Sequence, residues 1–69
     1  MRPGRYRHYK GLDYFVIGTA KHSETEGELV VYRALYGDYG LWVRPRAMFE
    51  EYVQLDTGLI RRFTWVADA

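Results

Sequence analysis

His22, Ser23, Glu24 and Thr25 place an imidazole, two hydroxyls and a carboxylate at consecutive positions. Histidine changes charge near neutral pH, so His22 could serve as a general base beside Glu24. Such chemistry also needs a third group to orient the base, which sequence neighbours seldom supply. The simpler reading is an ordered loop in which Ser23 or Thr25 hydrogen-bonds nearby backbone. His8 is the other imidazole, and His8, His22 and a loop glutamate would make a two-histidine, one-carboxylate metal set. Nothing in the spacing brings those three together, so neither a metal nor a cofactor is expected. The chain has no cysteine, no His-Glu-x-x-His run and no glycine-rich loop opening a helix. No catalytic residue is assigned.

A second pattern interleaves rings with cations. Tyr6, Tyr9, Tyr32, Tyr36, Tyr39 and Trp42 run among Arg5, Lys10, Arg33 and Arg44. These could form a stacking platform for bases or a groove for an extended peptide. The competing reading puts the rings in the core, with Tyr36 and Tyr39 in a turn, and Tyr9 at a mixed edge, as the exposed ones. Arg44 before Pro45 reads equally as a surface side chain whose stem lies along apolar neighbours. Met48 and Phe49 read as a plug closing one end of the fold, or else as an interaction patch.

The elements that must position these groups are mostly strands. Residues 5–10 alternate, and Gly11-Leu12-Asp13 turns the chain. Asp13 to Ala20 is aromatic and β-branched, as a buried strand would be, with Gly18 marking a bulge. Residues 21–28 lack an apolar face and form a loop. Leu29 to Tyr36 is apolar on both faces, which predicts a central strand covered on both sides. Residues 36–40 turn the chain, 41–44 pair back, and Pro45 ends that strand. One helical turn is expected near 45–50, then a strand over 51–55 and a last one over 60–66, with the final three residues frayed. The predicted architecture is all-β: a small SH3-like, partly open barrel of five to six short strands, one domain over 1–69 with its core over about 4–66.

Composition supports a folded chain: 48% of residues are hydrophobic and 17% aromatic. Ten Lys and Arg against nine Asp and Glu leave a charge too small to steer the whole molecule to nucleic acid. Charge is nevertheless segregated, with Arg2, Arg5, Arg7 and Lys10 at the start and Glu24, Glu26 and Glu28 in the loop. The two segments are expected to neutralise each other. No apolar run approaches the ~20 residues that span a bilayer, and the start has no apolar leader, so a cytoplasmic location is the default expectation and no membrane partner is expected.

The runs Gly4–Gly11, His22–Thr25 and Leu29–Gly37, followed by Trp42-Val43-Arg44-Pro45 and Met48-Phe49, resemble the bacterial domain-of-unknown-function family 1653. The likeness spans about residues 4 to 55, and the tail from Arg61 follows it loosely. It implies a bacterial domain of about this length with no assigned activity. It also directs attention to His8, Tyr9, Lys10, His22, Ser23, Glu24, Thr25, Tyr32 and Arg44, which would converge on one cleft if the first strand lay beside the 22–25 loop.

The functional expectation is therefore a non-enzymatic binding module for an extended peptide or a single-stranded nucleic-acid segment. Its cleft would be lined by Tyr9, His22, Thr25, Tyr32, Tyr36 and Arg44, with His8, Lys10, Ser23, Glu24 and Trp42 around it. The alternatives are a small enzyme using His22 as base, and a structural accessory domain presenting an edge strand or the Met48-Phe49 patch to a larger protein.

Overall fold

A computed structural model describes residues 1–69. Seven strands and one helical turn follow in order: β1 (Gly4–His8), β2 (Asp13–Lys21), β3 (Glu28–Ala34), β4 (Leu41–Pro45), α1 (Arg46–Phe49), β5 (Tyr52–Leu55), β6 (Gly58–Arg61) and β7 (Phe63–Ala67). The all-β architecture and the helical turn are as the sequence predicts. Five strands form one antiparallel sheet in the order β4-β3-β2-β1-β7, while β5 and β6 pair as a separate hairpin. The sheet is not closed into a barrel: β4 and β7 are its two edges. No helix is long and apolar enough to cross a membrane.

Alternation decides which side chains enter the core. On β3, Val30, Tyr32 and Ala34 are buried, and their partners Thr19, Val16 and Tyr14 on β2 share that face. The opposite face carries Leu29, Val31 and Arg33, none of them buried. Strand β3 is thus central, as its apolar run suggests, but only one of its faces is covered. The same holds for β2, in which Val16 alone is buried and Ile17 is half exposed. A register shift between Val16 and Gly18 supplies the bulge that the glycine predicts.

The covered face is closed by α1 and β7. Phe49 and Phe63 stack with ring centroids 4.1 Å apart, and Tyr6 and Tyr32 meet Phe49 at 5.5 Å. These residues, with Val16 and Val30, are the core cluster. Phe49 is therefore the expected plug, whereas Met48 beside it is exposed.

The single strand expected over residues 60–66 is two strands broken at Arg62. Its amide donates to the Glu51 carbonyl at 3.0 Å, and its carbonyl accepts from the Tyr9 amide at 2.9 Å. The amide bond continues the β5–β6 register and the carbonyl bond continues the β1–β7 register, so the chain changes partner at Arg62, where β6 ends and β7 begins. The end of the chain is also tied down. Ala67 pairs with Arg5, and the Ala69 carbonyl accepts from Arg5 Nε at 3.2 Å.

The expected neutralisation of the basic start by the acidic loop does not occur. Arg5 and Arg7 both bind Asp13 at 2.7 Å, and Arg2 pairs with Asp68. Glu28 pairs with Arg46 instead. Antiparallel pairing of β1 with β2 sets Arg7 opposite Asp13, which gives that carboxylate its two nearest cations.

Candidate aromatic hollow

Tyr14, Tyr32, Tyr36, Trp42 and Arg44 line a hollow of about 220 Å³. Each arrives there by strand register. Tyr32 on β3 stands opposite Val16 on one side and Trp42 on the other, and Arg44 follows two residues along β4 on the same face. Tyr36 comes from the turn joining β3 to β4. That turn holds Gly37 at φ 61° and Tyr39 at φ 58°, so the left-handed positions fall on Gly37 and Tyr39 rather than on Asp38 or Gly40. Asp38 Oδ1 accepts from the Gly40 amide at 3.2 Å and fixes the loop. Gly40 in turn lies beside the Trp42 indole, since a Cβ there would come within 3.4 Å of Nε1.

The three tyrosines pack edge to face. Tyr14 meets Tyr32 and Tyr36, each at a centroid distance of 5.4 Å and close to perpendicular. The Tyr14 and Tyr36 hydroxyls share a hydrogen bond of 2.5 Å. Burial pushes the Tyr14 phenol up to about 12, with the hydrogen bond to Tyr36 contributing next. Trp42 is 58% exposed and presents an open ring face.

Arg44 is half-buried, lies 5.6 Å from the Phe63 ring centroid and makes no ion pair. The other half-buried arginines all have carboxylate partners: Arg5 has Asp13, Arg46 has Glu28 and Glu50, and Arg62 has Glu51. The hollow therefore holds a cation whose charge nothing in the protein answers.

Of the residues expected to line one cleft, Tyr32, Tyr36, Trp42 and Arg44 come together here. His8 lies one ring away, 4.9 Å from Phe63 across its other contacts. Burial, then Arg62, Arg44 and Lys10, depress its pKa, and its Nδ1 accepts from the Lys10 amide at 3.1 Å. The neutral ring with its proton on Nε2 follows from both effects. The Tyr9 ring lies tilted against His8 at 4.6 Å, Lys10 lies near the Tyr9 ring, and His8 and Tyr9 line a second hollow with Ile60 and Thr64.

The loop quartet does not converge with them. His22, Ser23, Glu24 and Thr25 follow the far end of β2, whose nine residues extend roughly 27 Å from the turn that carries Tyr9 and Lys10. His22 Nδ1 accepts from the Glu24 and Thr25 amides, and Thr25 Oγ1 accepts from the Gly27 amide. These contacts make the quartet a self-bonded loop. The same separation keeps His8 and His22 apart, and no three metal-ligating side chains gather anywhere.

Tyr14 and Phe63 belong to the hollow and its floor but escape sequence reasoning. The signal for Tyr14 was available: it shares the face of Val16, two residues along β2. Phe63 offers none, because it reaches Arg44 only through the β1–β7 pairing.

The family model described as "Protein of unknown function (DUF1653)" matches residues 4–65. A solved structure of a DUF1653 protein from Bordetella bronchiseptica is similar to this chain, with 38% identity and a TM-score of 0.91 over all of this chain and 91% of the other. No curated protein matches. With nearly its whole length matched in sequence and in backbone, the chain belongs to the DUF1653 family.

Proposed function

We propose that this domain is a binding module for an extended peptide bearing a carboxylate, which the aromatic hollow takes between Trp42 and Arg44. The observation that carries this reading is the unpaired Arg44, half-buried among phenols at the mouth of an open hollow. A partly desolvated guanidinium favours a carboxylate, and the fork of N–H donors suits it. Trp42 supplies a flat apolar surface for the neighbouring peptide residue, and the tyrosine hydroxyls supply polar contacts at its edge.

Peptide is favoured over single-stranded nucleic acid by ring geometry. Base stacking needs open ring faces in succession, and here Tyr14, Tyr32 and Tyr36 cover one another edge to face. Only Trp42 in the hollow offers a broad face. An enzyme based on His22 is disfavoured because its Nδ1 is occupied by its own loop.

The test is a heteronuclear NMR titration with a Glu-Pro repeat hexapeptide, its Gln-Pro counterpart and an oligothymidylate. The acidic peptide should shift the Trp42 indole and Arg44 side-chain signals, more weakly at higher salt, and Arg44→Gln should abolish the response. No shift at millimolar peptide removes the reading, and a stronger response to the oligonucleotide replaces it with the nucleic-acid one.

A further inference from the structure

Strand β4 is a sheet edge guarded only at its far end, by the inward-facing Arg44 and by Pro45. Leu41, Trp42 and Val43 are 55%, 58% and 57% exposed, three large apolar side chains in a row. Edges of monomers are normally guarded by lysine, by a bulge or by an inward charge. This one pairs with β3 in unbroken register and carries no lysine. The opposite edge differs, because Thr64 and Val66 of β7 share a hollow with Ile60 and Arg61 of the β5–β6 hairpin.

The direction of the free hydrogen-bonding groups follows from one contact. The Ala34 amide donates to the Gly40 carbonyl at 2.9 Å, and those residues continue the β3–β4 register. Hydrogen-bonded pairs alternate in an antiparallel ladder, so Trp42 and Arg44 direct their backbone groups at β3. Leu41 and Val43 direct theirs outward. Pro45, the next outward position, offers a carbonyl and no amide.

We infer that β4 pairs antiparallel with β4 of a second copy across a two-fold axis at Val43. In that register Val43 meets Val43, exchanging both backbone bonds, and each Leu41 amide finds the carbonyl of the opposite Pro45. Trp42 of one copy stands beside Arg44 of the other, a favourable cation–ring pair. On the uncovered face the row Val31–Val43 continues into the same row of the second copy. The segment is self-complementary at every position, which is what an isologous contact requires. The molecule also has surface to lose: it exposes 4838 Å², against about 4,500 Å² expected for 8.2 kDa from size scaling.

Pairing would bring the two aromatic hollows edge to edge, so that Arg44 of each copy borders the Trp42 of the other. The interface is tested without any peptide and stands apart from the peptide reading. Five residues per copy bury less than the ~800 Å² per partner of a standard interface, so dissociation in the micromolar-to-millimolar range is expected.

Sedimentation velocity of the whole chain, from about 10 μM to about 1 mM, should show the mass rising from 8.2 kDa toward twice that value. Val43→Lys sets like charges across the axis and should hold the chain at the monomer mass. Val43→Pro removes only an outward amide and should do the same while the NMR spectrum stays dispersed. In the wild-type chain, the Val43 amide should exchange several-fold more slowly at high concentration than at low. A monomer throughout the range overturns the inference, as does a dimer that both variants leave intact.

Discussion

The hydroxyls of Tyr14 and Tyr36, 22 residues apart in the chain, meet at 2.5 Å and tie the start of β2 to the turn that precedes β4. With the Tyr14 phenol held near 12 and its unfolded value near 10, the neutral form stabilises the fold. That contribution is complete below pH 10 and is lost as pH rises through about 12. Tyr36→Phe should bring the Tyr14 titration down while leaving it above 10, because burial is the larger cause. Ring-labelled tyrosine NMR reads this directly, and an unchanged Tyr14 curve in the variant would contradict it. The lost bond should cost about 0.5–1 kcal/mol at neutral pH.

Asp13 gives the acid-side counterpart. Hydrogen bonds from Arg7 and then Arg5 hold its carboxyl at about 2, below the usual 3.8. Its stabilisation is present above pH 3.8 and disappears as pH falls through about 2. Asp13→Asn should therefore lower stability by about 0.5–1 kcal/mol at pH 7, with the difference from wild type closing in strong acid. Urea melts at a series of pH values measure the gap; a gap that persists unchanged in strong acid would rule out this carboxylate as its source.

Two glycines, Gly4 and Gly18, should respond to alanine to very different extents. Gly4 has φ 133°, and a Cβ there would lie 2.6 Å from the Ala67 carbonyl oxygen and 2.8 Å from Trp65 Nε1. Gly18 has open space around it. Gly4→Ala should cost about 2 kcal/mol or more, roughly 10 °C in Tm, whereas Gly18→Ala should change Tm by no more than a few degrees. Calorimetry on the pair decides, and equal Tm values for the two variants would refute the assignment of strain to Gly4.

His22→Ala separates the loop from the hollow. It removes the acceptor of the Glu24 and Thr25 amides, so their exchange should accelerate. The response of Trp42 and Arg44 to acidic peptide should be unaltered, because the His22 contacts stay within its own loop and no residue of that loop lines the hollow. A weakened peptide response in this variant would place His22 in the site after all.

What the sequence discloses depends on how local each feature is. The β3–turn–β4 unit is plain from alternation at Leu29–Tyr36 and from the glycines around Asp38, and it carries Tyr32, Tyr36, Trp42 and Arg44 into one hollow. The break at Arg62 is hidden, because the groups that cause it belong to Tyr9 and Glu51. The placement of His22 away from Tyr9 is hidden for a related reason: residue types show that a loop exists, and only strand pairing shows at which end of the sheet it lies. The reading that puts the rings in the core holds for only part of them, since only Tyr6, Tyr32, Phe49 and Phe63 are buried. A composition cannot reveal that the sheet has one bare face.

The pairing of β1 with β7 joins Arg5 to Ala67 and His8 to Phe63, almost the full length of the chain. On a ribosome this means that β1 must wait for β7 before its outer edge is satisfied. The β2–β3–β4 meander can assemble early, but the core ring of Phe63 joins it only after residue 63 has been made. Folding should thus be slow for a domain of this size, and a nascent chain stalled before residue 63 should be open to proteolysis.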